Sequence, residues 1–195
     1  MSSRTLLSLT NNPWFIIGIQ KSIHAMVFSL KDTLDILSRT SSILRNLLEN
    51  LDVQWLNFRK HDAAFSPKDV IGHLILGEKY DWIPRMRLML DNDPPKKFLP
   101  FERTGFDTTL GLEDSLSQFE TLRVANLEIL QKEAGDNDLL RTGIHPELGE
   151  VTLEQHLATW VVHDYTHIFQ IIETLALRYK QVVGPWIEYL RILQL

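Results

Sequence analysis

The sequence predicts an all-α protein folded as a four-helix bundle, and two observations support this prediction. Four long segments repeat their apolar residues at spacings of three and four, which places those residues on one face of a helix. No segment shows the sustained alternation of apolar and polar residues that is typical of a strand, and no Asn-Gly or Asp-Gly turn joins β-like runs.

The first two predicted helices are bounded by capping and breaking signals. The first runs from about Leu30 to Leu51 on its apolar periodicity. The second begins at Ser66-Pro67-Lys68-Asp69, where serine suits the N-cap, proline the first helical position, and aspartate the positive end of the helix dipole. It ends at about Leu90, and Pro84 within it predicts a kink.

The last two helices follow a loop of about fifteen residues that ends near Gly111, a length that is uncommon in a loop without a function. The third helix is predicted over about Leu112 to Ala134. The fourth runs from Thr152 to about Tyr179, because Thr152 and Gln155 form a capping-box pattern. Residues 186–195 are predicted to form a short closing helix after the break at Gly184-Pro185.

Composition excludes several kinds of protein. The chain of 195 residues has no cysteine, so disulfides and thiolate metal ligands are excluded, and the sequence fits a reducing compartment such as the cytoplasm. The net charge of −5 and the absence of a Lys/Arg cluster argue against nucleic acid as a partner. One domain is expected, with a homodimer as an open possibility.

The chain divides into three parts in this prediction: an N-terminal extension at 1–28, the bundle at 29–180, and a closing segment at 181–195. The extension is fairly apolar, but its apolar run is broken by Pro13 and Lys21, so it predicts neither a membrane span nor a signal peptide. We expect a poorly ordered segment here. The alternative is an arm that packs on the bundle or on a second subunit.

Two histidines four residues apart, His163 and His167, carry the first functional signal. That spacing puts both imidazoles on one face of the fourth helix, one turn apart, where they can bind one metal ion. They belong to a seam of core-facing positions that is polar: His156, Trp160, His163, His167, Gln170 and Thr174. Buried imidazoles without partners are costly, and a metal ion would satisfy them.

A third ligand is expected from a facing helix, because three protein ligands and an open position are the pattern of catalytic zinc. His73 is the best candidate, since it lies two turns into the second helix in an apolar run. Gly72 and Gly77 beside it would leave room for a metal-bound ligand. The alternative is that His73 is a core histidine bonded to a backbone carbonyl.

The remaining polar candidates are assigned other roles. His156 lies about 10.5 Å along the helix from His163, too far to share the ion, but it could line the cavity. Asp164 is interpreted as a partner in a salt bridge on the helix surface, with a hydrogen bond to a ligand as the alternative. Structural roles are expected for three residues that follow His73 in the second helix: Glu78, Tyr80 and Asp81. The remaining histidines are expected at the surface: His24, His61 and His145.

Three stretches of the sequence resemble the DinB superfamily, in its DinB/YfiT-like metalloenzyme branch. Phe65-Ser66 through His73-Leu74 is similar to the family pattern W/F-S-x-x-x-V-x-x-H-L, and His163 through Ile171 to the pattern H-D-x-x-H-x-x-Q-I. The stretch His145–Leu153 resembles the family's entry to the fourth helix. The likeness covers about Leu30 to Leu177, and the chain's first 28 residues and last fifteen have no counterpart.

The resemblance implies a four-helix bundle in which His73, His163 and His167 bind a divalent metal ion. Zinc or nickel is expected first, and iron or manganese also suits imidazole ligands. Family members of known activity are thiol transferases, which implies a low-molecular-weight thiol as substrate and a metal-bound thiolate as nucleophile. A hydrolase that uses metal-bound water, and a non-catalytic bundle that binds a small molecule, are the alternatives.

Overall fold

The computed structural model describes residues 27–93 and 95–194 of the chain. These residues form the α-helices Leu30–Leu37 (α1), Thr40–Leu48 (α2), Val53–Leu56 (α3), Pro67–Tyr80 (α4), Trp82–Leu90 (α5), Leu112–Glu133 (α6) and Leu153–Leu177 (α7). Two antiparallel strands, Thr142–His145 (β1) and Gly149–Thr152 (β2), form a hairpin before α7. Short 3₁₀ turns lie at Asp136–Asp138, Gly184–Tyr189 and Arg191–Leu193.

The predicted four-helix bundle is confirmed, although two of its four helices are broken. The first helix of the bundle is α1 followed by α2, the second is α4 followed by α5, and α6 and α7 are the third and fourth. Helix α4 packs against both α6 and α7, while α1 and α2 pack against α6 and α7 from the other side. The two helices predicted to carry the histidines are therefore neighbours in the bundle.

The first predicted helix, 30–51, is interrupted at Ser38 and Arg39, which the apolar periodicity does not reveal. The interruption leaves the carbonyl of Leu37 outside the helical ladder, where it accepts a hydrogen bond from Arg123 Nη1 at 2.9 Å. Thr40, the first residue of α2, is buried and donates from its hydroxyl to Asp164 at 2.6 Å. The break thus lets polar groups of this segment reach the interior of the bundle.

The kink that Pro84 predicts in the second helix is present as a break at Asp81, three residues before the proline. Proline cannot donate to the carbonyl four residues earlier, and its ring clashes with that carbonyl, which belongs to Tyr80. Helix α4 accordingly ends at Tyr80, and α5 starts at Trp82 with Pro84 in its first turn. Asp81, between them, has a φ of −113° and a ψ of −70°.

The predicted starts of the bundle's second and fourth helices are confirmed. Ser66 Oγ accepts from the backbone N–H of Asp69 at 3.2 Å, and Asp69 Oδ2 accepts from the N–H of Ser66 at 2.7 Å. Thr152 and Gln155 make the same reciprocal pair at 3.2 and 3.0 Å. These capping boxes satisfy backbone N–H groups that the first turn leaves without a helical partner.

Beside the predicted helices, the structure contains a short β-hairpin that the sequence did not predict. Each strand has only four residues, too few for alternation to be visible, and Gly149 reaches a φ of +76° at the turn. The hairpin also holds the long loop between α5 and α6. Phe98 donates from its backbone N–H to the carbonyl of Ile144 at 2.9 Å, and Ile144 donates to Lys96 at 2.8 Å. The loop is therefore not structureless.

The apolar core consists of two clusters on either side of a buried polar layer. One cluster is built around Trp82, Met86, Leu153, Leu157 and Trp160, and the other around Leu44, Ile71, Leu74, Phe119 and Ile171. Arg123 lies between them, with its guanidinium 5.1 Å from the Trp160 ring centroid and 4.9 Å from that of Phe119. Its exposure is only 1%.

Arg123 is held by carboxylates from two other helices. It donates to Asp164 of α7 at 2.6 Å and to Glu78 of α4 at 2.7 Å. Asn126, one turn further along α6, donates to the second oxygen of Glu78 at 2.9 Å. A buried charge is costly without partners, so this network constrains the relative positions of α4, α6 and α7.

The structure describes the C-terminal segment up to residue 194 but little of the N-terminal extension. The N-terminal extension, apart from residues 27 and 28, lies outside the described residues, as does His24. At the other end, the predicted closing helix is instead two short 3₁₀ turns, and Leu193 of the second turn is buried. Among the helices described, none has both the length and the apolar character needed to cross a membrane.

Replacing Arg123 by Met is expected to lower the free energy of unfolding by about 3–5 kcal/mol, because it leaves the carboxylates of Glu78 and Asp164 buried without their cation. Urea denaturation followed by tryptophan fluorescence measures the loss. The control is Arg87→Met, which breaks an exposed ion pair with Glu133 and is expected to cost less than about 1 kcal/mol. Equal losses in the two variants would show that the buried network does not stabilise the fold.

Candidate metal centre

The structure brings the imidazoles of His73, His163 and His167 together at the contact between α4 and α7. One ring nitrogen from each histidine lies within 4.8 Å of the other two. The Nε2 atoms of His73 and His163 are 3.2 Å apart. Two imidazole nitrogens bound to one tetrahedral zinc ion, each at about 2.0–2.1 Å, would be separated by about 3.3 Å. The arrangement therefore fits a shared metal ion.

Hydrogen bonds fix the orientation of two of these rings. His73 Nδ1 lies 3.0 Å from the backbone carbonyl of Arg103, and His167 Nδ1 lies 2.9 Å from Oε1 of Gln170. Both oxygens can only accept, so each Nδ1 carries the proton and each Nε2 keeps a free lone pair. A histidine ligand commonly has this arrangement, which sets the tautomer and aims the ring. The Nδ1 of His163 is buried and has no partner among the described residues.

Burial keeps the three imidazoles neutral at neutral pH. It lowers the pKa of His163 to about 3, with the neighbouring His167 and His73 adding to the effect. Burial likewise lowers the pKa of His167 to about 4, and the pKa of His73 falls below its ordinary value for the same reason. Neutral imidazole is the form that binds a metal ion. No carboxylate belongs to this cluster in the described part of the chain.

The three imidazoles form part of the wall of a cavity of about 1100 Å³. The other walls come from the loop between α5 and α6, from the hairpin, and from the segment before α4; they include Phe65, Phe98, Phe101, Arg103 and His145. Small-molecule sites usually occupy about 300–1,000 Å³, so the cavity has room for a substrate beside the histidines.

His156 lines the same cavity, as the polar seam of α7 predicted. It is buried, and its Nε2 donates to the carbonyl of Trp82 at 2.9 Å. Burial lowers its pKa to about 4. The role of His156 is therefore to hold α7 against the start of α5.

The structure corrects the interpretation of Asp164. It is not in a salt bridge on the helix surface: only 2% of the residue is exposed, and it accepts from Arg123 and from Thr40 inside the bundle. Because α7 turns by about 100° per residue, Asp164 faces the polar layer while the adjacent His163 faces the cavity. Glu78 is part of the same buried layer, as its expected structural role required.

A further expectation, about the glycines beside His73, is wrong. Gly72 and Gly77 do not leave room for a ligand, because a Cβ on Gly72 would lie 2.6 Å from the ring of Phe106, and one on Gly77 would lie 3.0 Å from Trp82. These glycines instead allow aromatic side chains to pack closely on α4. Tyr80, for which a structural role is expected from the sequence, has 66% of its surface exposed.

Asp81 and two outlying histidines line the cavity. Asp81 is buried, and burial raises its pKa to about 6 against the opposing effect of Arg85, whose Nε lies 2.6 Å from Oδ1. His145, expected on the surface in a loop, is instead in β1, where its Nδ1 accepts from the backbone N–H groups of Glu147 and Leu148 at 3.2 Å. His61 is exposed at the edge of the cavity.

Arg123 and Asn126, which bind Asp164 and Glu78, were not predicted from the sequence, although α6 contains a signal for them. The buried positions of α6 include Leu116, Phe119, Arg123, Asn126 and Leu130, which follow one another at steps of three and four. A cation and an amide at consecutive core-facing positions of an otherwise apolar stripe indicate a buried polar network. Arg103 was also missed, because nothing local marks one loop residue as part of a site.

The fold and the site define a class of protein: a four-helix bundle with a three-histidine cluster that can bind a metal ion at the wall of a cavity. Residues 36–171 match the family model of the DinB superfamily, so the chain belongs to this superfamily. The matched region contains all three histidines. No curated protein matches the chain.

A solved structure similar to this chain is that of YfiT from Bacillus subtilis. It is described as a probable metal-dependent hydrolase with an unusual four-helix bundle topology. The two chains superpose with a TM-score of 0.65 at 21% sequence identity, over 76% of this chain and 88% of YfiT. This likeness supports the bundle fold.

The lowered pKa of His156 predicts a loss of stability in acid. Its folded-state pKa of about 4 lies below the ordinary value of 6.5, so the unfolded chain takes up a proton first as the pH falls. His156→Gln removes the titrating imidazole and keeps an amide N–H that can donate to the carbonyl of Trp82. In chelator-treated protein, the wild type is expected to lose stability more steeply than the variant between pH 6.5 and 4, by up to about 1.4 kcal/mol per pH unit.

Urea midpoints measured across this pH range test the prediction. Asp81, with its raised pKa, has the opposite effect, since the folded state takes up its proton first. That contribution is common to both proteins and cancels in the comparison. Parallel pH profiles for the wild type and the variant would contradict the assignment of His156 as a buried neutral imidazole.

Proposed function

We propose that this chain is a metal-dependent enzyme in which His73, His163 and His167 hold one divalent cation facing a substrate cavity. The observation that supports this most directly is the orientation of the imidazoles. Two of them are fixed by oxygen acceptors at Nδ1 so that Nε2 is free, and all three are neutral. Three neutral ligands leave the charge of the ion intact and leave at least one coordination position for substrate.

The ligand set favours zinc or nickel, with iron or manganese as alternatives, because imidazole binds several divalent metals. A cation in such a site lowers the pKa of a bound thiol or water and so supplies a nucleophile at neutral pH. Other residues of the chain orient the imidazoles and shield them. His73 and His167 are aimed by Arg103 and Gln170, and Phe65 and Phe101 limit access of water to the imidazole of His73.

The reaction that we propose is transfer of a low-molecular-weight thiol to an electrophile. The chain has no cysteine, so the sulfur has to come with the substrate. The cavity of about 1100 Å³ exceeds what one attacking water molecule needs and can hold a thiol together with an acceptor. His145 of the hairpin also lines the cavity, where it would contact the remainder of the bound molecules.

Hydrolysis is the second candidate, and the structural similarity to YfiT favours it, because that protein is described as a probable metal-dependent hydrolase. A screen of metal-loaded protein distinguishes the two. Thiols are paired with electrophiles in one arm, and activated esters and amides are supplied without thiol in the other. Metal-dependent consumption of thiol supports transfer, whereas turnover of esters or amides without thiol supports hydrolysis.

Metal content provides the direct test of the site. Protein purified without an affinity tag and refilled with zinc or nickel is expected to bind about one ion per chain, and His167→Ala is expected to abolish binding. The bound metal is also expected to raise the melting temperature of the wild type and not of the variant, since a ligand stabilises only the state that binds it. His61→Ala is the control, because His61 is exposed at the cavity edge.

Two outcomes would contradict the proposal. A wild-type content below about 0.1 ion per chain after refilling would mean that the cluster does not bind metal. Unchanged occupancy and melting temperature in His167→Ala would mean that His167 is not a ligand.

A further inference from the structure

The charged side chains that line the cavity are not balanced. Among the described residues of the lining, Lys60, Arg85 and Arg103 are cations, and Asp81 and Glu147 are carboxylates. Two of the cations are already paired, since Arg85 contacts Asp81 at 2.6 Å and Lys60 contacts Glu173, which lies outside the cavity lining. Within the described residues, Arg103 makes no ion pair with a carboxylate. Among the described residues, Arg103 and Glu147 are thus the charged groups of the lining that make no ion pair, and of these two Arg103 contacts the histidine cluster, through its backbone carbonyl at His73.

The backbone of Arg103 is fixed beside the histidine cluster. Its carbonyl accepts the Nδ1 proton of His73 at 3.0 Å. On one side of it, Phe101 packs edge-on against the His73 ring, with a centroid distance of 5.7 Å. On the other side, Phe106 packs against Gly72 and makes an edge contact with Phe65 at 5.6 Å. The loop therefore presents Arg103 at a defined place next to His73.

The charge of Arg103 bears on any ion that the cluster holds. A positive side chain that lines the cavity beside His73 opposes a cation held by the three imidazoles, because like charges at short range repel. An anionic group placed between Arg103 and the cation would convert this repulsion into attraction. The arrangement therefore favours a negatively charged ligand.

We propose that Arg103 binds a carboxylate of the substrate while another group of the same molecule faces His73, His163 and His167. This inference rests on the proposed function and adds the class of substrate, a small molecule that carries a carboxylate. The planar guanidinium can donate two parallel hydrogen bonds to a carboxylate. Arg103 carries one positive charge, which matches a group with one negative charge.

Two thiols of equal length test the role of Arg103. Calorimetry measures the binding of 3-mercaptopropionate and of 3-mercaptopropionamide, which differ in charge, to the zinc-loaded full chain. The wild type is expected to bind the carboxylate about tenfold more tightly than the amide, the lower end of the range for charged hydrogen bonds. In Arg103→Gln this preference is expected to fall to about threefold or less, with the affinity for the amide unchanged.

Matched variants control for charge and folding. Lys132→Gln removes one positive charge from the exposed end of α6 and is expected to keep the wild-type preference. Arg103→Gln keeps the backbone carbonyl that orients His73, so its helical circular dichroism and melting temperature are expected to match the wild type. Any direct contact of the carboxylate with zinc is present in both proteins and cancels in the comparison.

The outcomes separate this inference from the proposed function. An equal preference for the carboxylate in the wild type and in Arg103→Gln would overturn the role of Arg103. A failure of the wild type to bind zinc would overturn the proposed function instead. The same thiol pair is then titrated into metal-free protein and followed by NMR. A carboxylate preference that is lost in Arg103→Gln supports the inference, and its absence from the wild type overturns it.

Discussion

The buried contact of Arg123 with Glu78 and Asp164 is the interaction on which the arrangement of the bundle depends. Each of these residues comes from a different helix, and their exposures are 1%, 2% and 2%. Asp164 directly follows His163, and Glu78 lies five residues after His73. The ionic layer therefore fixes the relative position of α4 and α7, the two helices whose imidazoles meet at the cavity. Buried ion pairs contribute little net stability, but they penalise any packing that separates the partners.

The bundle is thus organised in layers across its helices. Apolar clusters lie at either end of the buried ionic layer. Two neighbouring faces of α7 serve different purposes: Asp164 meets the guanidinium of Arg123 inside the bundle, and the imidazoles of His163 and His167 face the cavity. One side of the helix is saturated with partners, while the other keeps nitrogen lone pairs available. This difference separates the residues that hold the fold from those that can bind a ligand.

Sequence patterns predicted what short-range physics determines. The starts of α4 and α7, the extent of α6 and the shared face of His163 and His167 all follow from local capping and helical periodicity. The break at Ser38 could not be predicted, because the freed carbonyl of Leu37 is satisfied by Arg123, 86 residues away along the chain. The hairpin is too short for a periodic signal. The approach of His73 to the other two histidines was a hypothesis from spacing, and only tertiary packing brings them together.

The hydrogen bond from His73 to residue 103 uses a backbone carbonyl, which any amino acid at that position provides. The side chain at 103 can therefore change during evolution without disturbing the imidazole that the carbonyl aims. The same holds for much of the loop and hairpin, which form the cavity walls but contribute none of the three histidines. Mutations there can alter the walls of the cavity while the three-histidine cluster stays intact. Exchange of the loop between relatives is a practical route to new specificities on one scaffold.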